Sequence, residues 1–448
     1  MFKRITKACV SIVQKYLPDP FLFAVILTLI VFALGIFTTG QGPMAMVLHW
    51  SSGFWKLLAF SMQMALVLVT GHTLANAPVI KKGLTRLASV AKTPTQAILA
   101  VTFISTIACW INWGFGLVVG ALYARQLAKQ VKGVDYRLLI ASAYSGFLVW
   151  HSGISGSIPL KLATAGDDLA KATNGAVTEA ISTNATIFSL FNIIIFVMIL
   201  VTMPFLNKAM HPKEDEAVVI DPRLLQEEEE AVTIAEPTPA DKMENSPILS
   251  ILIGLMGVAF IIYYFAHNGF ALNLDVVNFI FLFAGIILHG TPRRFLDAIN
   301  AAARGTAGII LQFPFYAGIM GMMTGATEGG TSLAGVISNL FVNVSTPTTF
   351  PLFTFLSAGI VNFFVPSGGG QWAVQAPIMM PAGAALGVDP AKTGMAIAWG
   401  DAWTNMIQPF WALPALGIAG LGARDIMGYC LIDLIYSGII IGLGLMFL

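Results

Sequence analysis

The sequence predicts an all-α polytopic membrane protein, built as an inverted structural repeat with about nine transmembrane helices and two re-entrant hairpins. Three observations carry that expectation. Of 448 residues, 56% are hydrophobic and 10% charged, with mean hydropathy +0.79; a soluble domain carries about 25% charged residues. Such a chain cannot cover a water-facing surface, so lipid is its solvent. Landmarks also recur. Pro43 and Gln63 stand 20 residues apart, as do Pro292 and Gln312; Gly133-Val134-Asp135 reaches Gly146 in 13 residues, as Gly387-Val388-Asp389 reaches Gly400. Ile111-Asn112-Trp113 and Val361-Asn362-Phe363 each run into Gly-rich sequence, and the offset between partners drifts only from 249 to 254 residues. Finally, two long apolar segments are broken at their centres.

The elements follow in order. Residues 1–17, with Lys3, Arg4 and Lys7, read as an amphipathic helix on the membrane face. The first repeat spans 18–206 and the second 247–448. Crossings are expected near 20–40, 54–76, 184–206, 247–266, 276–290, 305–325 and 426–447, each of roughly the length hydrocarbon requires except 276–290, which is marginal. Two more, 137–160 and 393–421, are interrupted by Gly, Pro, Ser and Asn. Segment 95–130 breaks at Asn112-Trp113-Gly114-Phe115-Gly116 and has basic flanks on both sides (Lys81, Lys82, Arg86 and Lys92; Arg125, Lys129, Lys132 and Arg137). The positive-inside rule puts both flanks in the cytoplasm, so the segment enters and returns as a hairpin. Segment 349–386, broken at Pro366-Ser367-Gly368-Gly369-Gly370, has almost no basic flank and is expected to enter from outside. With the N-terminus cytoplasmic and the C-terminus periplasmic, 20 of 24 Lys and Arg lie inside, leaving Lys56, Lys161, Lys171 and Lys392. Residues 207–246 hold 11 of 23 acidic residues, Glu227 to Glu230 among them, and four prolines; they read as an acidic, disordered cytoplasmic linker.

Non-helical backbone inside a bilayer is tolerated only where protein buries it or it lines a cavity. The two breaks therefore mark a site. Each leaves N–H groups at a half-helix start with about half a positive charge, and two such ends form an anion site without Arg or Lys. The candidates are Asn112, Trp113 and Gly114 at the first break, and Asn362, Ser367, Gly368, Gly369, Gly370 and Gln371 at the second. From the broken crossings come His151, Ser152, Ser155 and Ser157, and Asp401, Thr404 and Asn405. Asp401 costs about 2.5–3.5 kcal/mol at a helix centre, so it needs a partner or a task. It binds a coupling cation, takes up a proton, or caps a restarting helix; sodium near Asn112, Asn362 and Asp401 is one option. The bland alternative for any lone Asn or Ser is helix–helix packing. Gln63 and Gln312 fit that reading best. Asp433 ranks lower, as a snorkelling or interhelical group, and Glu328 is expected to face external water.

A duplicated apolar chain whose halves cannot make a pathway alone is the ground plan of a secondary transporter. Formal charge +1 argues against a nucleic-acid partner. Neither a His-Glu-x-x-His nor a Gly-x-Ser-x-Gly motif occurs, so an enzyme is not expected, nor a cofactor. Cys9, Cys109 and Cys430 are scattered and read as small apolar residues.

The strings Val365–Pro377 (VPSGGGQWAVQAP), Gly400–Gly420 (GDAWTNMIQPFWALPALGIAG), Trp110–Leu117 (WINWGFGL) and Trp150–Leu160 (WHSGISGSIPL) closely resemble the bacterial short-chain fatty acid transporter family, across the whole chain. That family belongs to the ion transporter superfamily, with divalent-anion symporters and aminobenzoyl-glutamate transporters among its members. The resemblance implies a bacterial inner-membrane protein carrying small monocarboxylates such as acetoacetate or butyrate. It also implies a homodimer with an interfacial scaffold and a moving domain that bears the hairpins. One departure matters. Divalent-anion relatives carry Ser-Asn-Thr at both tips, whereas here the tips read Ile-Asn-Trp-Gly and Asn-Phe-Phe-Val-Pro-Ser-Gly. Sodium coupling is therefore not carried over, and a proton or sodium both stay open. Trp110, Trp113 and Phe363 would suit a short acyl tail. The alternatives are another small organic anion such as a dicarboxylate, then an intramembrane enzyme or a channel.

Overall fold

The computed structural model describes residues 2–16, 19–164, 166–220, 238–269 and 274–448. Among them every regular element is helical. The first part of the chain holds α1 (Phe2–Tyr16), α2 (Pro20–Thr39), α3 (Pro43–Phe54), α4 (Leu58–Asn76), α5 (Pro78–Ala88), α6 (Pro94–Ile111), α7 (Trp113–Gln130), α8 (Tyr136–Ser145), α9 (Ser157–Leu162), α10 (Asp167–Ala172) and α11 (Leu190–Met210). After α12 (Pro239–Glu244) come α13 (Pro247–Asn268), α14 (Leu274–His289), α15 (Pro292–Ala303), α16 (Ala307–Thr324), α17 (Leu333–Asn343), α18 (Phe350–Phe364), α19 (Gly368–Ala385), α20 (Pro390–Thr404), α21 (Leu413–Ala419) and α22 (Ala423–Phe447).

Many helices start where a proline follows a polar cap, because proline at the first helical position forfeits only an N–H that lacks a partner anyway. Thr93 caps α6 and Asp19 caps α2 in this way. The recurring Gly-Val-Asp triplets have one local purpose. Gly133 and Gly387 turn the chain at φ 74° and 72°, a region that favours glycine. Asp135 and Asp389 then cap α8 and α20 by accepting main-chain N–H groups.

Among the described residues, length and apolarity single out seven helices able to cross a membrane: Phe21–Thr39, Pro94–Ile111, Tyr136–Leu162, Leu190–Met210, Pro247–Asn268, Ala307–Thr324 and Ala423–Phe447; Ser61–Leu74 with Pro78–Ala88, bent by 71°, would make an eighth. The difference from the expected nine lies in particular segments. α14 is short, and 393–421 is divided between α20 and α21, so neither qualifies by itself. Pro94–Ile111 qualifies although it was read as one arm of a hairpin.

The long segments at 94–130 and 350–385 each fold back on themselves. In the first, a Cβ on Gly116 would strike the Cys109 backbone and one on Gly120 would stand 2.6 Å from Ser105 Oγ. In the second, Gln371 Nε2 donates to Ala358 O at 2.9 Å and Gln375 Nε2 to Ser357 Oγ at 3.0 Å. Both pairings are antiparallel. The breaks are shorter than the sequence suggested. Only Asn112 separates α6 from α7, and only 365–367 separate α18 from α19, because a polar cap restarts the helix at once. The broken crossings also differ. A 3₁₀ stretch, Gly146–Ser152, follows α8. α20 stays helical through Thr404, so its break falls at 405–412, beyond the expected Gly400–Asn405.

Two described parts of the 207–246 segment make defined contacts. Residues 211–220 strap the start of α8: Tyr136 N–H donates to Val218 O at 2.8 Å, and Val218 N–H to Asp135 Oδ2 at 2.9 Å. α12 carries a capping box between Thr238 and Asp241. Glu227 to Glu230 lie outside the described residues.

Candidate functional site

The two hairpin tips rest on one stretch of chain, residues 151–157. At the first tip, Ile154 N–H donates to Trp110 O at 2.8 Å and Trp113 N–H to Ser155 Oγ at 3.0 Å. The Trp113 ring meets Trp411 edge-on at 5.1 Å, and Trp150 and Phe147 pack around it. Asn112 is spent on its own helix, its Oδ1 accepting from Phe115 N–H at 2.9 Å. Gly114 is buried in that first turn. Phe363 packs on Phe23 and Trp110 on Phe196, so of the three aromatics expected to hold an acyl tail only Trp113 joins this cluster.

At the second tip Ser367 caps α19, accepting from Gly370 N–H at 3.4 Å. The three glycines face different surroundings. A Cβ on Gly368 would stand 2.7 Å from His151 Cε1 and 3.2 Å from Ser157 Cβ. One on Gly369 would meet nothing nearer than Lys161 Nζ at 3.6 Å, and one on Gly370 would stand 2.9 Å from Met320 Sδ. Beside Gly370 lies a cavity of about 280 Å³, lined also by Met320, Thr324, Ser332, Ala373 and Val374. Lys161 thus brings a cation to the second tip, where none was expected. Its position between two apolar stretches had placed it merely at the outer interface.

Between the tips sits a fully buried pair. His151 Nδ1 and Asp401 Oδ1 are 3.1 Å apart with neither side chain exposed. Ile158 N–H donates to His151 Nε2 at 3.0 Å, so Nε2 carries the lone pair. The proton of the neutral ring is then on Nδ1 and donates to Asp401. Asp401 Oδ2 is buried without a hydrogen-bond partner. Asn362 ties α18 to this point: its Nδ2 donates to Asp401 O at 2.7 Å, Thr404 Oγ1 at 3.0 Å and Asn405 Oδ1 at 2.9 Å.

The structure therefore gathers His151, Ser157, Gly368, Asn362, Asp401, Thr404 and Asn405 into one network, and seats Trp113 and Ser155 close by. It turns two candidates inward: Ser152 Oγ donates to Val149 O, and Gln371 Nε2 serves Ala358 and Gln375. Asn112 and Asn362 are not counterparts. The residue that answers to Asn112 in the element order is Ser367, and Asn362 lies in the last turn of α18, ahead of the break at 365–367. Asn192 was missed. Its amide donates to Ser152 O and Ile187 O and accepts from Trp399 Nε1; a lone Asn in an apolar span was the available signal. Asp433 does not snorkel but is fully buried. Gln63 does bond across helices, to Asp275 at 2.6 Å.

Broken helices around a buried ionisable pair, inside an apolar bundle, define a multi-pass membrane transport protein. The sequence model of the family described as short chain fatty acid transporter matches residues 1–448, and the chain belongs to that family. It is 49% identical over 447 residues to a protein of Escherichia coli (strain K12) named for short-chain fatty acid transport, covering 99% of each. It is 47% identical over 455 residues to a likewise named protein of Haemophilus influenzae, covering 100% of each. Among solved structures it is similar to the YdaH transporter of Alcanivorax borkumensis at 15% identity and TM-score 0.43, covering 96% of this chain and 97% of that one.

Proposed function

We propose that this protein is a secondary active transporter of short-chain monocarboxylates, butyrate or acetoacetate in size, driven by a coupled proton. The observation that carries this reading is the second tip. There a glycine-rich helix start, a lysine, a small cavity and a buried His–Asp pair meet within one turn of helix. The cargo carboxylate would take the α19 amides and Lys161, and its tail the Met320, Ala373 and Val374 side of the cavity. The coupling proton would sit on Asp401 Oδ2. A proton needs one free lone pair, which Oδ2 has, whereas a sodium ion needs a shell of oxygens.

In this reading the hairpins are re-entrant, the two halves are inverted, and the hairpin-bearing domain moves in elevator fashion within a homodimer in the inner membrane. The test is uptake of labelled butyrate and acetoacetate into proteoliposomes, with proton and sodium gradients imposed independently. Concentrative uptake under the proton gradient alone is expected, with weak competition by succinate. No uptake under either gradient would overturn the reading; uptake only under the sodium gradient would replace the proton.

A further inference from the structure

The strap after α11 meets the start of α8 through a histidine that must be neutral. Asp135 N–H donates to His211 Nε2 at 3.2 Å, and His211 Nδ1 stands 2.9 Å from Pro212 O. A main-chain carbonyl only accepts, so Nδ1 carries the ring proton; a main-chain N–H only donates, so Nε2 offers its lone pair. Both ring nitrogens are thereby committed, and the bond to Asp135 exists only while the ring is uncharged.

The neighbouring bonds tie the far end of the strap to the same corner. Val218 N–H donates to Asp135 Oδ2 at 2.9 Å, and Tyr136 N–H to Val218 O at 2.8 Å. Asp135 Oδ1 accepts from Leu138 N–H at 2.8 Å, capping α8. A proton on Nε2 sets one N–H against another, so the His211–Asp135 contact must open. Turning the Asp135 carboxylate toward the new cation instead draws Oδ2 away from Val218 N–H. Either movement takes a bond from between strap and α8. On its other side the strap stays clasped to α1, where Lys7 Nζ meets Glu216 Oε1 at 2.8 Å.

The charged groups around this corner come from several elements. On α8, Arg137 lies 3.7 Å from Asp135 Oδ2, and the Tyr136 hydroxyl is given to Ala419 O at 2.8 Å. α11 brings Lys208 in its last turn, and the strap brings Lys213, Glu214, Asp215 and Glu216, all exposed. α1 adds Lys3, Arg4 and Lys7; α7 adds Arg125 and Lys129; the first half of α22 adds Arg424, Asp425 and Tyr429. α6 and α21 carry no Asp, Glu, Lys or Arg. Of these residue types only histidine ordinarily changes charge between pH 5 and 8. What the strap holds also leads to the site: α8 runs on through the 3₁₀ stretch Gly146–Ser152 into residues 151–157, on which both tips rest.

We propose that His211 is a pH-operated latch. Neutral, it holds the strap on α8; protonated, it frees the strap, loosens the seat of the two tips and slows transport. The latch stands on the strap geometry, and its effect on transport rests on the transport reading above.

The test follows the strap directly. Val219 is exposed, and Cys109 and Cys430 are buried, so a spin label at Val219→Cys in a Cys9→Ser background reports on the strap alone. Its mobile fraction is expected to rise at least threefold from pH 8 to pH 5.5. His211→Gln has an amide oxygen to accept from Asp135 N–H and cannot take up a proton, so its label should stay immobile at both. His211→Lys is charged at both and should leave the label mobile at both. An immobile label at pH 5.5 without a change at His211, or at either pH in His211→Lys, would overturn the proposal. So would a pH response that survives in His211→Gln, which would pass the titration to another group. Mobility at both pH values in both variants would make the ring a packing element and equally overturn the latch. Butyrate counterflow, with the same pH on both sides, supplies the functional arm. Wild type and His211→Gln should agree within twofold at pH 8, and wild type should fall at least threefold below the variant at pH 5.5. Equal rates at pH 5.5 would overturn the effect on transport. Wild type without counterflow at any pH would remove the transport reading itself, while the label still judges the latch.

Discussion

Asp401 accepts from His151 through Oδ1, while Oδ2 makes no hydrogen bond within normal geometry and has the Asn405 amide as its polar neighbour; the transport reading turns on that asymmetry. Asp401→Asn can keep a hydrogen bond to His151 yet can neither gain nor lose a proton. Gradient-driven butyrate uptake is expected to fall at least tenfold, with normal membrane insertion and normal thermal stability in detergent. Wild-type accumulation would remove Asp401 from the mechanism. The glycines of the second tip give a sharper residue-scale contrast. Gly368→Ala pushes on His151 and Ser157 and should cost about 1–3 kcal/mol, as overpacking does, together with cargo affinity. Gly369→Ala meets only the flexible end of Lys161 and should be close to neutral in stability; equal melting temperatures for the two variants would refute the contrast. The sequence made both members of the buried pair legible, because a His and an Asp in interrupted apolar segments are conspicuous. Their pairing was not legible, since 250 residues separate them. Asn112 and Asn362 share a residue type and a place near a break, yet identity of residue type does not fix what each side chain bonds. One asparagine caps a helix; the other bridges two.

Helix boundaries were legible because caps, prolines and glycines announce them locally, whereas the helices' neighbours are set by contacts far apart in sequence. α7 illustrates the local part. Asn112 supplies its cap, so Asn112→Ala should destabilise by about 1 kcal/mol, read as a lowered melting temperature, and should affect transport only through that loss. If instead transport is lost at unchanged stability, Asn112 touches cargo. α1 illustrates the distant part. An amphipathic surface helix was expected; what the sequence did not show is its clasp to the strap after α11, where Lys7 Nζ meets Glu216 Oε1 at 2.8 Å. The Lys7 hydrogen bond and charge hold Glu216 below the ordinary carboxylate value, and Glu216 holds Lys7 above the ordinary amine value. The Glu216 contribution is present above its unfolded value and is lost as pH falls through the depressed folded one. The Lys7 contribution is present below its unfolded value and is lost as pH rises through the raised folded one. Both groups are exposed, so salt screens them. A spin label at Lys3→Cys should gain mobility in strong acid and in high salt, and hold steady near neutrality; mobility unchanged by either would show that α1 is held by Val10 and Thr6 on α22 alone.

At the scale of the whole molecule the question is which side each hairpin faces. Charge gave one answer: basic flanks surround α6 and α7, and almost none surround α18 and α19. The helices themselves do not repeat that distinction, since both pairs fold back on themselves and both tips rest on residues 151–157. An inverted arrangement therefore makes a demand that charge alone cannot meet. The open ends of the two hairpins must lie on opposite sides while their tips share one stretch of chain. Lys132, just past α7, and Ala385, at the end of α19, are both exposed. Cys109 and Cys430 are buried and only Cys9 is partly open, so Cys9→Ser leaves a quiet background for labelling. In that background a membrane-impermeant maleimide is expected to modify Ala385→Cys in intact cells and Lys132→Cys only in inverted vesicles. If the two label from the same side, the hairpins enter together, the halves are not inverted, and access cannot alternate across a site shared by both tips. The same result would leave Lys161 and the α19 cavity as a one-sided anion pocket, because nothing would then carry the second tip past the His151–Asp401 pair to the other face.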